Sequence, residues 1–239
     1  MSRPADDPIA SGRAADIYDA GPGRVLRRKR SGDIPAHEVT AMRHAHHYGF
    51  PVPEVFSVDG SDMVMERVEG RVLFDSLAER PWRIGATGRL LADLHRRLAA
   101  IPIDGVEIRT MFGAPEALVH GDLHPGNVLA SPSGPVVIDW ENAAAGPCDA
   151  DVATTWLLMS VADLDDVGPV VRRLASIVRR LLVRSFLGAV ERPRPETVRA
   201  VCTHRLDDPN LRPHEKDRIR RSWQLTVERR APGRWCCEV

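Results

Sequence analysis

The stretch LVHGDLHPGNVLASPSGPVVIDW, Leu118 to Trp140, constrains this chain more than any other. It gathers His120, Asp122, His124, Asn127 and Asp139 around a Pro-Gly turn, between two short apolar runs that read as strands, with SPSGP as a turn. A carboxylate on a rigid loop can accept a hydrogen bond from a substrate hydroxyl, orient it and take its proton; Asp122 is placed for that. Asn127 and Asp139 offer hard oxygen donors from two segments, which suits magnesium held by one or two protein groups together with phosphates. A base, an Asn shortly after it and an Asp ending a following strand is the layout that phosphoryl transfer to a hydroxyl requires. His120 reads as a hydrogen-bonder that holds the loop. His124 is open between ordering the loop and approaching the phosphates. The His-x-Asp-x-His run also admits a zinc-dependent hydrolase, a reading that leaves Asn127 and Asp139 without a role.

The rest of the chain divides by periodicity. RAADIYDAGPGRVLRR alternates around a Gly-Pro-Gly turn, predicting a hairpin whose second strand runs from Arg24 to Lys29. A helix follows, with Pro35 near its first turn, Val39 and Met42 on one face, Gly49 as its cap and Pro51 forbidding continuation. EVFSVDG and DMVMERV then read as two strands joined at Asp59-Gly60. After Glu69-Gly70 the pattern turns helical: Ile84, Leu91, Leu94 and Leu98 share a face. Helices are expected again beyond Asp151, and the last forty residues suggest short helices and loops. The expectation is an α+β chain: a small β-rich lobe with one main helix, residues 1–68, and a larger, mostly helical lobe, residues 69–239.

HGDLHPGNVL followed by VIDW resembles the catalytic loop and metal-binding segment of the aminoglycoside phosphotransferase and choline-kinase-like family. The resemblance implies a bilobal protein-kinase-like fold, with Asp122 as catalytic base and Asn127 and Asp139 as magnesium ligands. GPCDADVA matches the family's continuation at Gly146 and Asp151. Gly12, in ASGRAADIYDAG, falls where the family covers the phosphates with a hairpin, although no G-x-G-x-x-G is present. The family usually carries Lys on the next strand. Here Arg27 holds that position, with Lys29 on the same face; either could reach the phosphates, and Arg27 is favoured. Glu38 matches the acid that pairs with this cation. Met65, Glu66, Arg67 and Val68 correspond to the linker whose backbone meets the nucleotide base. The implied cofactors are ATP (or GTP) and Mg2+.

The resemblance points to a kinase acting on a hydroxyl of a small metabolite or antibiotic, such as an aminoglycoside. The alternative is a catalytically silent nucleotide-binding regulatory protein of the same fold, a pseudokinase, supported by Arg27 in place of Lys. Charges balance at 33 against 33, so no global field favours nucleic acid or an anionic membrane. From Ser160 onward 17 Arg or Lys face 11 Asp or Glu, which argues against a polycationic acceptor, although Asp163, Asp165 and Asp166 could form a local acidic wall. Cys148, Cys202, Cys236 and Cys237 lack zinc-ligand spacing, and the start is polar and Pro-bearing; a cytoplasmic protein is expected. Nothing in the sequence fixes the oligomeric state.

Overall fold

The computed structural model describes residues 7–12, 14–161, 168–208, 211 and 213–228. Its first sheet has five strands, β1 (Ala10–Ser11), β2 (Ala15–Asp19), β3 (Arg24–Lys29), β4 (Val55–Asp59) and β5 (Asp62–Glu66), in the antiparallel order β1-β2-β3-β5-β4. The β2–β3 turn requires glycine: Gly21 and Gly23 have φ of 97° and 67°, and Asp19 Oδ1 accepts from the Gly21 N–H at 2.7 Å. Between β3 and β4 lies α1 (Ala36–His47), entered at Pro35 and left at Gly49, whose φ is 70°. The helix buries Ala41, Met42 and Ala45 and, unexpectedly for an acid, Glu38. His44, His46 and His47 lie in its last turn, and the His44 ring reaches the Pro102 carbonyl.

A short β6 (Arg71–Val72) leads into α2 (Leu73–Glu79) and the long α3 (Ile84–Ala99). Leu91, Leu94 and Leu98 of α3 are fully buried, as their spacing predicted, and Ile84 is partly buried against them. Next come β7 (Ala117–Val119), β8 (Val128–Ser131), β9 (Gly134–Val137) and β10 (Ala144–Gly146). Two strands were expected to flank the loop from His120 to Asn127, but the pairing is richer. β7 pairs with β10, while β8 and β9 form a hairpin that takes β6 on its other edge. β9 ends at Val137, two residues before Asp139.

Four helices complete the fold: α4 (Ala150–Val161), α5 (Pro169–Leu187), α6 (Pro195–Leu206) and α7 (Pro213–Glu228). The last is a 16-residue helix where short helices and loops were expected. α3 packs closely on α5 because Gly88 has no side chain: a Cβ there would stand 2.6 Å from Ser185 Cβ. The Ser185 hydroxyl closes the contact by donating to the Gly85 carbonyl at 3.0 Å. One continuous core links the first sheet to the helices through Met63, Phe50, Trp140, Leu123, Leu157 and Phe186. Phe50 meets the Trp140 ring edge-on at 5.8 Å, tying the chain after α1 to the segment after β9. Asp163, Asp165, Asp166, Cys236 and Cys237 lie outside the described residues. Among those described, no helix is long and apolar enough to cross a membrane.

Candidate active site

The loop after β7 is held from below by a single carboxylate. Asp151, in the first turn of α4, accepts from the backbone N–H groups of His120 and Gly121, both at 2.7 Å. Complete burial pushes its carboxyl up to about 6, opposed by those two bonds. His120 is fully buried. The Asp122 N–H donates to its Nδ1 at 3.2 Å, so the ring proton sits on Nε2, which donates to the Ile138 carbonyl at 3.1 Å. Burial lowers the ring to about 3, so it is neutral and both its nitrogens are spent on the loop. A zinc ion would find no lone pair there. Gly121 turns the chain with φ of 76°, and a Cβ would approach the Asn142 carbonyl oxygen to 2.8 Å.

This scaffold presents Asp122. Asn127 Nδ2 donates to both the backbone carbonyl and Oδ2 of Asp122, each at 2.9 Å. His124 Nδ1 accepts from the Gly126 N–H at 3.0 Å and caps the Pro125–Asn127 turn, while Nε2 lies 3.7 Å from Asp122 Oδ1. Asp139 has φ of 66°, left-handed backbone that Asp tolerates and most side chains avoid. Burial is the main cause that raises the Asp122 carboxyl above its ordinary range; His124 opposes it and Asp139 adds to it. Glu38 is likewise raised, first by burial, with Arg27 opposing and Glu141 and Asp139 adding. Asp122 and Asp139 line one cleft with the Asn127 amide bonded to Asp122, oxygen donors of the kind that suit a divalent cation sharing its sphere with phosphates. Among the described residues no cluster of three or more His, Cys, Asp or Glu is gathered to hold a metal by itself.

The sheet supplies the opposite wall. Arg27 of β3 forms a salt bridge with Glu38 of α1; the acid is fully buried and the guanidinium nearly so. The second carboxylate oxygen of Glu38 has no hydrogen-bond partner among the described residues. Lys29 Nζ lies 2.7 Å from Glu141 Oε1, and this partner holds the Glu141 carboxyl below its ordinary range. Arg28 and Arg30 pair on the exposed face with Asp62 and Asp16.

Between these walls opens a cleft of about 1340 Å³, lined by Gly12, Arg27, Glu38, Met65, Glu66, Arg67, Val68, Asp122 and Asp139 among others. A model of the phosphotransferase enzyme family matches the chain over residues 7–115 and 106–180. The chain belongs to that family. No curated protein matches it. Solved structures similar to this phosphotransferase share its fold at low identity. A choline/ethanolamine kinase family protein from Mesorhizobium loti is 18% identical over 95% of this chain and 90% of its own, with a TM-score of 0.58. A thermostable mutant of aminoglycoside phosphotransferase APH(4)-Ia is 15% identical over 94% and 96%, with a TM-score of 0.62. Amicoumacin kinase hAmiN, in complex with AMP-PNP, Ca2+ and Ami, is 13% identical over 91% and 87%, with a TM-score of 0.51. The expected bilobal protein-kinase-like fold is the fold of this chain, and the family supports a small-molecule phosphotransferase.

Three of the expected residues of this phosphotransferase are absent from the cleft lining: Lys29, His124 and Asn127. Lys29 is drawn to Glu141, His124 folds onto its own turn, and Asn127 is buried beneath Asp122. Sequence reasoning missed Glu141, Asn142, Arg205, Asp208, Leu211 and Glu215, all of which line the cleft. Glu141 had a signal, since it follows Asp139 by two residues. Arg205, at the end of α6, carries none: one Arg among many on an amphipathic helix looks like a solvated charge.

Proposed function

We propose that this chain transfers the γ-phosphate of ATP or GTP to a hydroxyl of a small molecule. The observation that carries the reading is the convergence on one cleft of Asp122, Asp139 and the Arg27–Glu38 pair, with Asn127 bonded to the Asp122 carboxylate. The division at residues 68 and 69 then separates a nucleotide-clamping lobe from a catalytic and acceptor-binding one.

In this reading the acceptor hydroxyl donates a hydrogen bond to Asp122. As its oxygen attacks the γ-phosphorus, the proton passes to the carboxylate, the bond to the bridging oxygen breaks and the nucleoside diphosphate leaves. Asn127 fixes the carboxylate through its Nδ2 bond, and the neutral His120 fixes the backbone beneath it. Arg27, seated by Glu38, meets the phosphates, and the backbone from Met65 to Val68 meets the base. Asn127 and Asp139 would hold magnesium, which neutralises the phosphate oxygens when bound. The raised Asp122 carboxyl makes a better base than an ordinary carboxylate once it is deprotonated.

The test is Asp122→Asn. Transfer to an alcohol should fall by about a thousandfold, while nucleotide affinity, read by AMP-PNP titration with Mg2+, holds. Nucleotide binding with no turnover in the parent chain, for any alcohol tried, would instead favour the silent regulatory protein. Failure to bind nucleotide would sink both.

A further inference from the structure

We infer that Arg205 selects an acceptor bearing an acidic group, a carboxylate or a phosphate, beside the hydroxyl that is phosphorylated. The inference rests on the phosphotransferase reading. Three arginines line the cleft: Arg27, Arg67 and Arg205. Arg27 is engaged by buried Glu38, and Arg67 by Asp19 at 3.0 Å and Glu69 at 2.7 Å. Arg205 is held differently. Its Nη1 pairs with Asp208 Oδ2 at 3.2 Å, but its Nε is buried with no hydrogen-bond partner among the described residues. The side chain as a whole remains 37% exposed.

A guanidinium has five donors in a planar fork, and a buried donor left unbonded is costly. An anionic oxygen entering the cleft would draw the fork round and satisfy it bidentately. Arg205 belongs to α6, not to the sheet and linker proposed to hold the nucleotide, so that anion is on the acceptor. Arg205 and Asp122 line the same cleft, so one substrate can meet both. Asp208 and Glu215 on the same wall both have partners within the protein, so neither stands open for an ammonium group.

The test loads the full chain with AMP-PNP and Mg2+, so that the phosphate site is filled, and titrates glycerate, glycerol 3-phosphate, glycerol and kanamycin by calorimetry. At least one of the two acids should bind tenfold more tightly than glycerol, and comparison of the two tells carboxylate from phosphate. Arg205→Gln should erase that advantage, and Arg205→Lys should restore part of it. Equal binding of acids and glycerol, tighter binding of kanamycin, or an advantage that survives Arg205→Gln overturns the inference while nucleotide binding leaves the kinase reading standing. A chain that does not take AMP-PNP overturns the reading itself.

Discussion

Asn127 donates through one amide nitrogen to two oxygens of Asp122, the backbone carbonyl and Oδ2, each at 2.9 Å. That bifurcated bond locks the Asp122 carboxylate against its own loop and keeps Asn127 Oδ1 free of Asp122. Asn127→Ala should therefore do two things at once. It should lower turnover by about a hundredfold, and it should weaken the dependence of rate on magnesium concentration. Loss of rate with an unchanged magnesium titration would confine Asn127 to holding the base.

Asp139 sits in left-handed backbone and raises both Asp122 and Glu38. Asn tolerates that backbone equally well and carries no charge. Asp139→Asn should leave the ligand-free protein as stable as the parent or more so, by about 1 kcal/mol, while transfer collapses. Thermal melts without metal or nucleotide measure this. A clear drop in Tm would mean that the carboxylate serves the fold.

Glu38 is fully buried and forms the salt bridge that seats Arg27. Glu38→Ala leaves a mostly buried guanidinium without its partner and should cost about 3 kcal/mol. If Arg27 meets the phosphates as proposed, the same change should raise KM for the nucleotide more than it lowers kcat for transfer, because Arg27 loses the partner that seats it. Equal nucleotide KM in the variant would remove Arg27 from the phosphate site.

Stability should fall on mild acidification. His95 and His120 are both neutral in the folded chain, lowered by burial to about 4 and about 3 from 6.5. Unfolding lets each take up a proton below pH 6.5, so their contribution is complete above that pH and is lost as pH falls. Asp151, raised to about 6 from 3.8, acts in the opposite sense below pH 6, because there the folded state binds its proton more readily. Asp122 and Glu38, whose carboxyls burial also raises, act in the same sense as Asp151, so the histidine contribution stands clearest between pH 7 and pH 6. Urea midpoints should drop from pH 7 to pH 6, and His95→Asn should flatten that drop whatever its effect at pH 7. A midpoint indifferent to pH in the parent would refute the assignment.

Asp151 accepts two backbone N–H bonds at 2.7 Å. Asn at this position can satisfy only one of them and turns an amide toward the other. Asp151→Asn should cost about 2 kcal/mol and should lower kcat for transfer together with stability, since the loop that carries Asp122 is hung from this group. Full activity in a destabilised variant would separate the loop's anchor from its chemistry.

The chemistry of this chain was written locally. Asp122, Asn127 and Asp139 fall within one short stretch, and the strands from Arg24 to Lys29 and from Asp62 to Glu66 follow from alternation and turn glycines, signals carried by neighbours in sequence. The pairing of Arg27 with Glu38 came from the family resemblance, since a Glu on a helix face reads equally as a surface charge, and the structure forms that salt bridge. Packing decided the rest. Lys29 meets Glu141 across 112 positions, His120 spends both ring nitrogens on its own loop, Asp139 takes a left-handed turn after β9 has ended, and α6 delivers Arg205 to the cleft that Arg27 lines. No periodicity records such meetings, since they depend on where a continuous core holds distant elements, and a charged side chain reads the same in sequence whether it faces water or a substrate.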